Sequence, residues 1–389
     1  MIFLFIEFLD EMVFGLVDSA WPLVRTDLHL TYLQIGILLS VPGLIANMIE
    51  PFLFILGDIW RRRVIILGGG LIFTLSILLT AISHSFLFLL FVFVIFNPAS
   101  GAFVSLSQAT LIDTDELRHE QNMARWAFAG SVGVFLGPLL LGGLVGLGFG
   151  WRPAFWALGF FSILILVAAF RLIPNTGTPQ TEFPSARAVF DELRSAFAAL
   201  KDGTVLRWLI LLEYCDLMLD VLYGFLALYF VDVAGVTPSS AAFAVAVWTG
   251  VGLLGDFLLI PLIERVKGLD YLRLSVIFEL VLFPFFLLSP TYWLKLVLLG
   301  LLGLFNSGWY AILKANLFSS LPGKSGSVLA LDNVSGMFGK LIPFGIGLAA
   351  QAVGLGPAMW LLLAGPLALL IGLPRQYLKP DHEKNETTL

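Results

Sequence analysis

Apolar residues run along this chain in long unbroken blocks, unlike the alternating or one-faced patterns of soluble strands and helices. Blocks of about twenty residues occupy roughly 2–25, 33–56, 64–83, 86–111, 123–148, 153–173, 205–231, 239–263, 271–289, 294–318, 326–350 and 357–373. Such blocks predict twelve membrane-crossing helices, numbered here as spans 1 to 12, because a helix is the form that satisfies its own backbone groups in hydrocarbon. The joints are short and hold turn formers: Arg61 to Arg63, Ser83 to Ser85, Gly148 to Pro153, Ser289 with Pro290, and Pro322 with Gly323. Consecutive spans must therefore be antiparallel. The one long connection, about 175–204, sets Val189, Leu193, Phe197 and Leu200 against Arg187, Asp191, Arg194 and Lys201. That pattern predicts a helix lying on the membrane surface. It divides the chain into a six-helix bundle (1–174), a linker (175–204), a second six-helix bundle (205–376) and a tail (377–389).

Composition agrees with the pattern. Hydrophobic residues make up 59% and charged residues 13%, where a soluble domain carries about 25% charged. A net charge of −5 gives no footprint for nucleic acid. The single cysteine, Cys215, excludes an intrachain disulfide. No Gly-rich phosphate loop ending in Lys-Ser/Thr occurs, and His29, His84, His119 and His382 fall in loops or at helix ends. Neither a metal-protease spacing nor a serine nucleophile elbow is present, so an enzyme is not expected and no cofactor is implied. The first block starts at Ile2 without a basic leader and holds four acids, a pattern unlike a cleaved signal peptide. Sixteen Lys and Arg fall on loops and ends of the N-terminal side, against Arg25, Arg152 and Lys295 on the other. By the positive-inside rule both termini and the linker are expected in the cytoplasm, in the inner membrane of a cell.

The acids reveal an internal repeat. At an offset of 206, Glu7, Asp10, Glu50 and Asp58 match Glu213, Asp216, Asp256 and Glu264, and Gly130 and Gly133 match Gly336 and Gly339, without a gap. The repeat is six spans long and parallel, which places a binding site between the halves near the bilayer midplane.

Three features together resemble the major facilitator superfamily over essentially the whole chain. One is the parallel six-plus-six repeat with its linker. Another is Gly57, Asp58, Arg61, Arg62 and Arg63 between spans 2 and 3, similar to the superfamily's acidic-then-basic loop but one residue shorter and without its second glycine. The third is Gly133, Gly137, Pro138, Gly142 and Gly143 in span 5, similar to the signature of antiporter-type members with three residues where that signature has two after the proline. The opening, from Glu7 to Glu11 and through Tyr32 to Gly36, is similar to bacterial efflux members of the fosmidomycin-resistance type. The resemblance implies an all-α fold whose spans 1, 4, 7 and 10 line a cavity, and a cytoplasmic gate in which Asp58 pairs a base or a helix end, with Glu264 as its counterpart. A basic loop that only fixes topology would look the same, and the span 5 glycines also suit plain close packing.

The chemistry lies in intramembrane acids. A carboxylate at the centre of a spanning helix costs about 2.5–3.5 kcal/mol on insertion scales. Glu7, Asp10, Glu11 and Asp18 share one stripe of span 1, and Glu213, Asp216 and Asp220 share one stripe of span 7. Two facing stripes predict an electronegative cavity, although an acid near a helix end, Glu7 above all, can instead sit in water. Crowded carboxylates in low dielectric cannot all ionise, so some should exchange protons near neutral pH. Glu50 and Asp256 are second-line candidates. Glu279 and Asp332 are expected to pair with a stray base, the bases available being Arg125, Lys314 and Lys340. Prolines 42, 98, 261, 284 and 343 are expected to interrupt or bend spans 2, 4, 8, 9 and 11.

These features lead to a proton-coupled secondary exporter, a drug-resistance type of antiporter for a small cationic or amphipathic molecule. A metal-cation transporter is the alternative within transport, because dense carboxylates suit hard cations; any metal site is unknown. A non-transporting membrane receptor or lipid-handling protein is the alternative outside it. Phe8, Phe14, Tyr214 and Tyr223 beside the acids favour an organic cation. The expected partners are a small-molecule or cation substrate, protons and the lipid bilayer, in a monomer.

Overall fold

The computed structural model describes residues 1–59, 61–113, 119–173, 202–320, 331 and 335–374. Every regular element among them is a helix. The first half comprises α1 (Ile2–Leu28), α2 (Tyr32–Ile59), α3 (Arg62–Ala81), α4 (Phe86–Ser100), α5 (Leu106–Asp113), α6 (His119–Gly146) and α7 (Trp151–Leu172). The second comprises α8 (Gly203–Asp216), α9 (Leu222–Asp232), α10 (Pro238–Ile263), α11 (Gly268–Leu288), α12 (Tyr292–Phe305), α13 (Trp309–Ser320), α14 (Ile342–Val353), α15 (Leu355–Met359) and α16 (Ala364–Gly372).

Ten stretches among the described residues are long and apolar enough to cross a membrane. Spans 1 and 7, formed by α1 and by α8 with α9, carry the acidic stripes and are not in that set. With them the bundle has the twelve spans the sequence predicts. Local chemistry starts the helices where expected: Ser85, Asp202 and Thr237 each accept a backbone N–H at a helix N-terminus, from Phe88, Thr204 and Ser240. The amphipathic linker, the loop 114–118 and the tail lie outside the described residues.

Each half has its own aromatic interior. Phe73 stacks on Phe96 at 5.0 Å in the first, and Tyr229 lies 5.2 Å from Phe286 in the second. Phe52, Phe128, Phe160, Phe257 and Trp293 point outward and are strongly exposed, which is stable only against lipid.

Several spans depart from straight helices, and the breaks fall beside acids or a base. Span 4 passes through a π-turn at Gly101–Ser105, and span 7 through one at Leu217–Val221 that contains Asp220. Span 10 breaks between α12 and α13 at Asn306 to Gly308, where Gly308 has φ of 73°. Span 11 kinks at Lys340 and Leu341, just before α14. Prolines explain fewer of these breaks than expected. α2, α10 and α11 run through Pro42, Pro261 and Pro284, because a proline removes a single hydrogen bond and the flanking turns hold the helix together.

The halves touch at the end of the bundle remote from Met1. The Ser40 hydroxyl accepts from the Phe344 amide at 2.9 Å, Ser239 donates to the Gly142 carbonyl at 2.7 Å, and Arg25 pairs with Asp232 at 2.7 Å. Gly36 in α2 and Gly347 in α14 bring their backbones into direct contact.

Candidate functional site

Below these contacts lies a cavity of ≈ 350 Å³ between the halves. Glu11 and Asp18 reach it from α1, Asp216 and Asp220 from span 7, and Lys340 from span 11. The remaining wall is largely apolar and includes the rings of Phe14, Trp21, Phe93, Phe96 and Tyr223. Asp18 accepts a 3.2 Å hydrogen bond from the Trp21 indole, which fixes its carboxylate at the cavity wall. Lys340 Nζ stands 3.8 Å from Asp220 Oδ2. The wall can therefore hold a cationic group beside flat apolar surface, and among the described residues it carries one cation of its own, Lys340.

The other acids of the two stripes do not line this cavity. Asp10 turns into the first half, where it is buried and accepts from the Ser100 hydroxyl at 2.8 Å. Glu7 is buried against Gly130 and accepts from the Trp126 indole. Glu213 packs against Gly339 in span 11. A helical stripe is wide enough to face two neighbours, so the outer acids meet spans 4 and 5 or 11 while the inner ones face the gap between the halves. Glu50 places its carboxylate against Gly101, and Asp256 accepts from the Gly308 amide at 3.1 Å.

Glu279 departs from the expected pairing with a base. It is fully buried, and among the described residues neither carboxyl oxygen makes a hydrogen bond. The bases lie elsewhere: Lys314 donates to the Tyr310 hydroxyl at 3.1 Å, Arg125 is exposed, and Lys340 faces Asp220. Asp332 lies outside the described residues.

In span 5, Gly133 and Gly137 let α6 lie directly on α1; a Cβ on Gly133 would meet the Phe8 carbonyl oxygen, and one on Gly137 the Met12 carbonyl oxygen. Pro138 packs on Gly15 with no break in α6, Gly142 faces Ala242 of the other half, and Gly143 has open space around it. In the loop between spans 2 and 3, Arg62 Nε donates to the Gly57 carbonyl at 3.4 Å, Arg63 bonds the Phe170 carbonyl, and Arg61 is exposed. The side chain of Asp58 lies outside the described residues. Glu264 caps the end of α10 in an exposed position.

Residues 3–343 match the family model of the Major Facilitator Superfamily. The chain belongs to that superfamily. This Major Facilitator protein is 23% identical over 332 residues to the quinolone resistance protein NorA of Staphylococcus aureus (strain COL), covering 82% of this chain and 80% of the relative. In fold it is similar to a bacterial homologue of the human lysosomal transporter Spinster in an inward-facing, unoccupied conformation, with a TM-score of 0.71 and 18% identity over 96% of this chain and 93% of that one. It is also similar to the nucleoside transporter NupG, with a TM-score of 0.75 and 14% identity over 96% and 97% of the two chains. The chain is thus a multi-pass membrane transporter of small molecules, built from two parallel six-helix repeats, and not an enzyme.

Sequence reasoning left Lys340 without a partner and missed Ser100, Trp126 and the Arg25–Asp232 contact. The first carried a readable signal, an intramembrane base. The others did not, because a serine, a tryptophan and residues at helix ends are ordinary in such positions.

Proposed function

We propose that this transporter is a proton-coupled exporter of small organic cations, with both termini on the cytoplasmic side of the inner membrane. The observation that carries the reading is the convergence of Glu11, Asp18, Asp216 and Asp220 on one cavity whose largely apolar wall includes several aromatic rings. A carboxylate in a partly desolvated site holds either a proton or a cation, since both neutralise the same charge. A substrate cation arriving from the cytoplasm displaces a proton; once the cavity reopens outward, a proton displaces the substrate. The rings of the wall favour a flat or lipophilic cation over a metal ion, because ring faces attract organic cations whose hydration shell is weak. Among the described residues no group of three or more His, Cys, Asp or Glu is arranged to hold a metal ion. The distant likeness to a quinolone resistance protein is consistent with efflux. On this topology the contacts at Ser40, Gly142 and Arg25 close the outer side, and Asp58, Arg61, Arg62, Arg63 and Glu264 belong to the inner gate.

The test is transport in proteoliposomes with an imposed pH gradient, using a lipophilic cation and a pH-sensitive dye inside. Wild type should accumulate the cation against its gradient while moving protons the other way. Asp18→Asn and Asp216→Asn should remain folded and lose proton-driven accumulation. Unchanged accumulation in single neutralisations of all four cavity acids overturns the reading.

A further inference from the structure

Among the described residues Lys340 is the one base in the cavity wall, and it stands among acids on three sides. Asp220, Asp216 and Glu213 act on it from span 7, Asp18 from span 1 and Glu50 from span 2. Its stem lies over Gly43 of span 2, where a Cβ would come within 3.2 Å of the lysine Cδ. That glycine leaves room for the stem where the two halves face each other. The Asp220 end of the pair is loose: the separation is 3.8 Å, and the two side chains keep 42% and 70% of their surface. At that separation the ammonium and carboxylate make no close hydrogen bond, so a competing cation can part them. Asp220 also sits within the Leu217–Val221 π-turn, a distortion often found where a helix serves function.

We propose that Lys340 is a built-in counter-ion that occupies the Asp220 side of the cavity when substrate is absent, so that substrate binds by displacing the ammonium group of the protein itself. The inference rests on the cation-binding reading above and deepens it: the preferred substrate is a lipophilic monocation, whose single charge replaces that of Lys340 and whose apolar body covers Phe14, Phe93 and Tyr223. An empty cavity holding several uncompensated carboxylates between two lipid-facing bundles would be costly. A tethered cation lowers that cost and makes the exchange nearly charge-neutral at Asp220. The repeat underlines the asymmetry, because the position matching Lys340 in the first half is Val134, which lines the same cavity.

The experiment measures equilibrium binding of tetraphenylphosphonium, a monocation with no proton to lose, to the purified full-length protein at fixed pH and salt. Removing the competitor in Lys340→Gln should tighten binding about tenfold. Lys340→Arg, which keeps the charge, should bind as wild type does, and Asp220→Asn should bind more weakly. If Lys340→Gln does not yield a monodisperse protein, Lys340→Met keeps the stem packed on Gly43 and should show the same gain. Wild type that binds the cation, with both neutral variants binding equally or more weakly, overturns the counter-ion proposal and leaves the transport reading standing. Absence of binding in wild type and in all variants overturns both.

Discussion

The Asp256 carboxylate accepts a 3.1 Å hydrogen bond from the Gly308 amide, at the break in span 10. Its repeat partner Glu50, 206 residues earlier, sets its own carboxylate against Gly101, at the break in span 4. In both halves an acid from the second span meets a glycine where the fourth loses its regular hydrogen bonding. An interrupted helix exposes backbone N–H groups, and a carboxylate nearby is a natural acceptor for them. The pair is thus a structural feature of each repeat.

Removing the second-half acid should leave the Gly308 amide short of its acceptor. Asp256→Ala is expected to lower stability by about 0.5–1.5 kcal/mol, the net worth of a hydrogen bond open to water, and Asp256→Asn, which keeps an acceptor oxygen, by clearly less. Thermal unfolding of the detergent-solubilised protein checks this. Equal melting temperatures for the Ala variant and wild type would mean the hydrogen bond carries no weight.

Ser100 is the donor that serves buried Asp10. Ser100→Ala should destabilise the first half by about 1–3 kcal/mol with little change in the affinity for a cation, because Asp10 faces away from the cavity. A large loss of cation affinity, with stability unaltered, would contradict the inward orientation of Asp10. Thermal unfolding and equilibrium binding on the same preparation separate the two.

Gly133 and Gly137 should tolerate no side chain. Gly133→Val drives its Cβ into the α1 backbone, and overpacking of this kind costs about 1–3 kcal/mol or more. Gly143→Val, four residues beyond Leu139 and with open space around it, should be nearly neutral. The comparison of melting temperatures isolates helix contact from composition.

The contact at the end of the bundle remote from Met1 joins three side chains. Arg25 pairs with Asp232 at 2.7 Å, lies over the Tyr32 ring at 4.3 Å, and the Tyr32 hydroxyl donates to the same Asp232 oxygen at 2.9 Å. Asp232→Ala should shift the population toward the state in which spans 1 and 7 part, with Tyr32→Phe doing so more weakly. Double electron–electron resonance between labels placed near residues 29 and 235 should show a longer distance in the Asp232 variant. Identical distance distributions in the two proteins would remove the contact from gating.

Topology can be read with a thiol label, because the single native cysteine, Cys215, is buried. A Ser185→Cys variant in the linker should resist an impermeant maleimide in intact cells and react once the membrane is opened. Ready labelling in intact cells would invert the proposed orientation.

The sequence alone determined the architecture of this protein. Block length and hydropathy fix the twelve spans, because hydrocarbon tolerates no unsatisfied backbone, and the matched acids expose the parallel repeat, because a carboxylate inside a membrane is too costly to sit there without a role. The intramembrane position of Glu11, Asp18, Asp216 and Asp220 was equally legible. Only the tertiary structure decided how the stripes divide. Periodicity gives an angle around one helix, whereas the partner a side chain meets depends on how neighbouring helices tilt and where they break. Asp10 therefore belongs to Ser100, Glu213 packs on Gly339, and Lys340, an intramembrane base with no readable partner in sequence, stands against Asp220 because span 11 kinks beside the π-turn of span 7.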